Sequence, residues 1–413
     1  MNAFLPIISL LVSVSFLLMA HGLMGTLLPL RGLLESHSST DIGILGAVYF
    51  LGFGLGTVVG PRAINRVGHI RTFAAMAALI CISVMMQALL TTPIFWWIAR
   101  ALTGLCLSTL FIVVESWLNA RSTNQNRGMI FSVYTVITLG MITIGQLLTA
   151  TADVGGFILF AIATMLFAAS SVPISMTRTT APAPAGAVRL RLGHLYRLSP
   201  VAVVGSFAVG GATGAFWTLG PVFAEQESGS VAMVAVFMSA TVFAGAVGQL
   251  PLGWISDRFD RRFVITVASL CAALAGVGHV LAAQYMQAGI VLCAVIFGLF
   301  ALPLYALCAA HLNDSVEEGD YIEAASGLLL LYAAGAVVGP LIASSLMDRY
   351  GSNFLFLFTA AVHISLVVFA TSRMCLKKPM QPDEKTAFSD SLVSTATVAN
   401  LEPGECGSVP ARN

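Results

Sequence analysis

Charge is what this sequence has least of. Only 9% of its 413 residues are Asp, Glu, Lys or Arg, 57% are hydrophobic, and the mean hydropathy is +0.89. Soluble globular chains carry roughly 25% charged residues, so a water-exposed globule is excluded. No HExxH, GxSxG or Walker pattern occurs, which argues against an enzyme and excludes ATP as a direct energy source. The seven cysteines (Cys81, Cys106, Cys271, Cys293, Cys308, Cys375 and Cys406) contain no CxxC pair. They fall in apolar runs or in the C-terminal tail, so neither disulfides nor a metal site is expected, and no cofactor is implied. A net charge of +1, without basic stretches interleaved with aromatics, gives no reason to expect a nucleic-acid partner.

What the chain has instead is apolar runs of about twenty residues, the length a helix needs to cross a ~30 Å hydrocarbon core. Twelve are expected: 5–29, 42–61, 72–91, 94–118, 129–151, 156–177, 201–224, 231–254, 263–283, 287–311, 324–347 and 352–372. Period-two alternation is missing, which excludes a β-barrel, and helices are the other way to satisfy backbone polar groups in lipid. The expected fold class is all-α integral membrane. With both termini inside, seventeen Lys and Arg fall in inner loops and tail, and only Arg31 and Arg349 fall outside. That is a decisive positive-inside bias. No cleavable signal peptide is evident.

The spans form two sets of six, predicting an N-terminal bundle over 1–177, a Pro/Ala-containing linker over 178–200, a C-terminal bundle over 201–373 and a disordered tail over 374–413. The halves repeat. An offset of 192 residues aligns Gly22 with Gly214, Pro29 with Pro221 and Gly56 with Gly248; an offset of 194 aligns Gly104 with Gly298 and Gly145 with Gly339. Duplicated, pseudo-symmetric six-helix bundles that rock around a midplane site are a transporter architecture.

The stretch GWISDRFDRR, Gly253 to Arg262, concentrates charge between spans 8 and 9. It resembles the loop motif G-x3-D-R-x-G-R-R of the major facilitator superfamily, with Asp260 in place of the second Gly. GPRAINRVGHIR (60–71) resembles a weakened copy, with Asn65 replacing the Asp, and RALTG (100–104) resembles the family's span-4 motif. VVESWLNARSTNQNRG (113–128) and ASGLLLLYAAGAVVGPL (325–341) are similar to a little-characterised bacterial inner-membrane branch. The resemblance implies a monomeric transporter of a small-molecule substrate in the inner membrane, both termini cytoplasmic. It also implies a cavity lined by spans 1, 4, 7 and 10, and a motif loop that docks on the opposite half to hold the inner gate shut.

The loop between spans 10 and 11 is acidic (Asp314, Glu317, Glu318, Asp320, Glu323), whereas its counterpart between spans 4 and 5 carries Arg121 and Arg127. An inner gate of cross-half ion pairs is therefore expected. Arg62, Arg66 and Arg71 would face the acidic loop, and the motif with Asp257, Arg258, Arg261 and Arg262 would face Arg127. Each exposed pair contributes about 0–1 kcal/mol, enough only to bias a balanced equilibrium. The alternative is topology determinants and solvated charge.

Charged residues inside spans are functional candidates by default, and there are two, Arg100 and Glu115. Fifteen residues, about 22 Å, separate them along one helix, so they cannot pair. Glu115 is expected to tie to Arg66, Arg71 or Arg121, the alternative being proton coupling. Arg100, His21, Gln146 and Trp217 fall at similar depth and could recognise an anionic or polar organic solute. The alternatives are an Arg100 bonded to backbone carbonyls and a satisfied interior His21. Tyr134, Tyr305, Tyr332 and Gln249 could form a second polar layer, or simply bond neighbouring helices. His279 and His363 sit on spans that in the family face lipid.

Gly52, Gly56 and Gly60, like Gly335 and Gly339, make small-residue helix faces; in the family, spans 2 and 11 abut across the halves, where such faces permit sliding. Proton/solute antiporters of the superfamily carry G-x3-G-P on span 5, where this chain has Gln146 at the Pro position. That departure speaks against drug/proton antiport. A coupling proton would have to be carried by His21 or Glu115, or transport is uncoupled. The expected function is secondary transport of a small organic solute by rocking-bundle alternating access. The rival is a transporter-like sensor that binds without moving its solute.

Overall fold

The computed structural model describes residues 5–122, 127–176, 191–285, 287–316, 321–376, 385, 386 and 388. Among these, fourteen α-helices and no strand occur: α1 Leu5–Leu34, α2 Ser39–Val67, α3 His69–Leu89, α4 Pro93–Arg121, α5 Arg127–Leu148, α6 Ile158–Ser175, α7 Leu192–Leu198, α8 Pro200–Ser228, α9 Val231–Arg258, α10 Arg261–Tyr285, α11 Gln287–Ala301, α12 Leu304–Asn313, α13 Tyr321–Tyr350 and α14 Phe354–Leu376. Twelve spans are long and apolar enough to cross a membrane, with α11 and α12 together forming the tenth. Most helices outrun the apolar stretch that identifies them, because polar caps end a helix and hydropathy does not register them. Ser38 accepts from Asp41 N at 3.0 Å while Asp41 accepts from Ser38 N at 3.1 Å, a reciprocal capping box that starts α2. Gly68, Gly229 and Gly351 turn the chain at φ between 61° and 99°, the left-handed region that glycine enters without strain.

Two features were not expected. The tenth span breaks at Leu302-Pro303, since proline has no N–H to continue the ladder. The expected linker contains the short helix α7, and α8 begins at Pro200, inside the range assigned to linker. Of the expected tail, 374–376 complete α14 and 385, 386 and 388 lie against the helices; the rest lies outside the described residues.

The internal repeat is written into the packing. Gly104 lies so close to the Tyr49 carbonyl that a Cβ would overlap it, and Gly298 stands in the same relation to the Thr241 carbonyl. Gly56 meets Leu105 as Gly248 meets Leu299; Gly22 meets Ile142 as Gly214 meets Ala336; Gly145 meets Met19 as Gly339 meets Gly211. Every pair maps onto its twin by the offsets of 192 and 194 residues. Close backbone approach is what drives helix association where lipid offers no hydrophobic gain. Accordingly α1 packs on α5 and α6 and α2 on α4, while α8 packs on α13 and α9 on α11.

These contacts correct the expected role of the glycine faces. Helices α2 and α13 do abut across the halves, but Gly52, Gly56 and Gly60 face α4, and Gly335 and Gly339 face α8. The glycines that meet the other half are Gly43, against Ser344 and Pro340, and Gly46, against Thr218. His279 and His363 do not face lipid. Both are fully buried in the C-terminal half, His279 stacked on Phe356 at 3.9 Å and His363 edge-on to Phe297.

Candidate functional site

Counting residues along each span places His21, Arg100, Gln146 and Trp217 at one level, and the structure gathers all four around one cavity of about 140 Å³ between the halves. Comparable cavities accommodate a single six-membered ring. Helices α1, α2, α4 and α5 line it from one half and α8, α9 and α13 from the other. The tenth span, expected among the lining helices, contributes nothing.

The centre of the site is a residue the sequence reading missed. Tyr49 of α2 carries the Arg100 guanidinium over its ring, 4.5 Å from the centroid, and stacks with the His21 imidazole at 5.9 Å and 22°. Its backbone seats Gly104, so the ring's place is set by the tight α2–α4 contact. Depth counting could have found Tyr49, which lies ten residues inside the start of α2. Span 2 is not among the four lining spans that the family resemblance implies.

The polar groups of this cavity are underused. Among the described residues Arg100 makes no hydrogen bond or ion pair, and its recorded partner is the Tyr49 ring. His21 Nδ1 and Gln146 Oε1 are buried with no hydrogen-bond partner. An arginine deep in a span costs about 2.5–3.5 kcal/mol, and a cation–π contact returns about 0.5–2 kcal/mol. An unpartnered buried polar atom costs a further ~1–3 kcal/mol. The alternative reading, Arg100 tied to backbone carbonyls and His21 satisfied internally, does not describe this arrangement.

The second layer disperses. Tyr332 lines the cavity, meets Thr213 at 3.0 Å through its hydroxyl, and packs edge-on to Tyr305 with ring centroids 5.0 Å apart. Tyr134 instead turns to Glu115, donating to Oε1 at 3.5 Å. Gln249, half-buried on α9, is not among the cavity's lining residues. Among the described residues no ion pair joins Glu115 to Arg66, Arg71 or Arg121; Arg66 and Arg71 are exposed beyond the apolar part of their helices.

The halves are clasped at the face bearing Arg31 and Arg349, the one expected from the charge bias to be outer. Asp348 of α13 accepts from Ser39 N at 2.9 Å, from Thr40 N at 2.8 Å and from the Thr40 hydroxyl. The first N–H groups of a helix have no partner within it, and here the opposite half supplies one. This clasp was not expected, because the two partners lie over three hundred residues apart.

At the opposite, basic face the motif residues are engaged within their own half. Arg261 bridges Asp257 at 3.1 Å and Asp314 at 2.7 Å. Asp260 accepts from Arg262 N at 2.9 Å and bonds its guanidinium at 2.7 Å, so the residue that departs from the family motif is the N-cap of α10. Burial pushes the Asp260 carboxyl up, but the Arg262 hydrogen bonds outweigh it and hold the group below the usual carboxylate range. Arg258 lies over the Trp254 ring at 3.6 Å. Glu323 takes Arg191 at 2.7 Å, a residue of the expected linker, where the N-terminal basic loop was expected. Phe388 packs on Gly253 and donates its N–H to Asp257 at 3.0 Å. Asp320, Glu317, Glu318 and the Arg127 side chain lie outside the described residues.

The family model of the Major Facilitator Superfamily matches residues 10–294 and 202–399. The chain is similar to the protein named "Uncharacterized MFS-type transporter YcaD" in Escherichia coli. It is 26% identical over 359 residues to the form in strain UMN026, covering 86% of this chain and 93% of the relative, and 27% identical over 361 residues to the form in strain K12, with the same coverage. Among solved structures it resembles the nucleoside transporter NupG, with a TM-score of 0.74 and 13% identity over 91% of this chain and 100% of that one. It also resembles a bacterial homologue of the human lysosomal transporter Spinster in an inward-facing and occupied conformation, with a TM-score of 0.74 and 14% identity over 91% and 98%. At these identities the likeness is one of fold.

Proposed function

This chain belongs to the Major Facilitator Superfamily, and from that premise we propose that it is a secondary transporter that moves a small organic anion by rocking-bundle alternating access. The observation that carries the reading is the unpaired Arg100 guanidinium on the wall of a cavity between the halves, beside the unpartnered His21 Nδ1 and Gln146 Oε1. An oxyanion would accept from Arg100 and from a protonated His21 Nδ1, a solute N–H or O–H would donate to Gln146, and Trp217 would cover an apolar face. Interactions that are absent from the empty site and made by the solute supply the differential affinity that any ligand-driven change of state requires.

The clasp of Asp348 on α2, with Gly43 and Gly46 in close cross-half contact, closes the outer end. In the proposed cycle this clasp breaks as the halves rock, and the loops of the basic face, including Asp257, Arg127, Asp320 and Glu323, then close against one another. Both termini are assigned to the cytoplasm of a bacterial cell with the protein in the inner membrane, on the excess of Lys and Arg on one face. The domains are assigned as 1–177, 178–200, 201–373 and 374–413, with α7 inside the linker range. His21 is the proposed proton carrier if transport is coupled, since it shares the cavity with Arg100.

Uptake of labelled monocarboxylates and dicarboxylates into vesicles containing the purified protein tests this reading, with and without a pH gradient. Saturable accumulation abolished by Arg100→Gln is expected. Binding of the same solutes without accumulation would refute transport and leave the sensor reading.

A further inference from the structure

A second cavity, of about 370 Å³, lies at the basic face of the C-terminal half, between the α7–α8 junction, the start of α10, the end of α12 and the end of α14. Its wall is overloaded with positive charge. Arg197, Arg261, Arg262, Arg373 and Lys385 line it, against two carboxylates, Asp260 and Asp314.

Both carboxylates are already engaged. Asp314 takes two nitrogens of Arg261 at 2.7 and 3.2 Å and the Thr386 hydroxyl at 3.0 Å. Asp260 is clamped by Arg262. Arg197, Arg373 and Lys385 form no ion pair among the described residues. Arg197 is exposed and unpartnered; Arg373 donates to the Tyr196 hydroxyl at 3.2 Å; Lys385 donates to the carbonyls of Ser256 at 3.4 Å and Phe259 at 2.6 Å. Burial, and then Arg261 beside it, hold the Lys385 ammonium below its usual range.

A 29-residue helix adds to this field. Ser199 caps the Ala202 N–H at the start of α8, whose first turn forms part of the wall. The positive end of the helix dipole therefore points into the cavity. Leu376, an exposed apolar side chain, also lines it.

We propose that this cavity binds a phosphate group, carried either by an anionic phospholipid headgroup or by a soluble phosphomonoester. Three cations from α7, α14 and the tail, without an ion pair among the described residues and converging with a helix N-terminus, match a tetrahedral oxyanion with several acceptor oxygens, whereas a carboxylate presents two. Basic pockets between helices at a membrane face are the known setting for headgroup recognition. The bound phosphate would tie the tail and α7 to α10 and α14. This site is separate from the solute cavity, so the inference stands whether or not the transport reading holds.

The test uses the full chain in detergent micelles, with native mass spectrometry and thermal unfolding as readouts. Phosphatidylglycerol is the lipid probe, glycerol 3-phosphate the soluble probe and phosphatidylcholine the zwitterionic control. Affinity for a phosphate probe is expected to fall about tenfold for each cation removed, in Arg197→Gln and further in Arg197→Gln/Arg373→Gln. Arg62→Gln/Arg66→Gln, on the other half's basic loop, is expected to leave it unchanged. Arg197→Gln breaks no hydrogen bond or ion pair among the described residues and so keeps the test valid if the double variant is unstable. Binding of phosphatidylglycerol alone assigns the site to lipid, and binding of glycerol 3-phosphate assigns it to a soluble phosphate. Equal affinity of wild type and Arg197→Gln for both probes overturns the proposal.

Discussion

Removing the Asp348 carboxylate should open the outer face. Its oxygens accept two backbone N–H groups at 2.9 and 2.8 Å and the Thr40 hydroxyl, all from the opposite half. Charge-assisted bonds of this kind contribute about 1.5–3 kcal/mol each when shielded. Asp348 is exposed, so water competes, and a net loss of about 1.5 kcal/mol for the whole clasp is the appropriate magnitude. That corresponds to about a tenfold shift toward states with the outer end open. The Ser38–Asp41 capping box stays in place, so α2 still starts where it does. Pulsed electron resonance between spin labels at Leu34 on α1 and Tyr350 on α13, both exposed at the outer face, reads the distance distribution in a cysteine-free background. Asp348→Ala should populate a longer distance, and Asp348→Asn, which keeps one acceptor oxygen, should shift less. An unchanged distribution in Asp348→Ala would refute the claim that this clasp holds the outer end closed.

Replacing the orphaned polar groups separates binding from folding: His21→Leu and Gln146→Leu should melt at or above the wild-type temperature, because each removes an unsatisfied buried atom, while solute binding falls. A drop in melting temperature without loss of binding would make them structural. The symmetric glycine contacts should be equally intolerant, with Gly104→Ala and Gly298→Ala each destabilising by about 1–3 kcal/mol through overlap with the Tyr49 and Thr241 carbonyls; thermal denaturation would expose any asymmetry. Asp260→Ala should cost about 0.5–2 kcal/mol at neutral pH by uncapping α10. Because the folded Asp260 carboxyl lies below its usual range, that stabilisation is present above the unfolded pKa and is lost as pH falls through the folded one. Melting curves of wild type and variant should therefore converge in acid and stay apart at neutral pH.

The repeat and the level of the cavity were legible in the sequence because both are one-dimensional. Offsets of 192 and 194 residues survive as paired glycine contacts, and a 1.5 Å rise per residue converts position into depth for His21, Arg100, Gln146 and Trp217. Rotation about a helix axis was less legible. The face on which Gly52 and Gly56 lie is plain, but whether it meets α4 or α13 depends on how twelve spans are arranged. Tyr49 was missed for a related reason, since its role rests on Arg100 and His21, which come from two other helices. The Asp348 clasp and the Pro303 break leave no trace in hydropathy, the first joining the two ends of the membrane domain and the second lying in an otherwise apolar run.

The most direct test of the account is thermal unfolding of the purified protein against a panel of organic anions, neutral sugars and cations, on wild type and Arg100→Gln. A ligand that binds only the folded state at 100 times its Kd adds about 2.7 kcal/mol of apparent stability. The account predicts that at least one organic anion stabilises wild type by about this amount, and that Arg100→Gln abolishes the effect while neutral solutes leave both proteins unchanged. Equal stabilisation of both proteins by that anion, or stabilisation of wild type by cations alone, would contradict it.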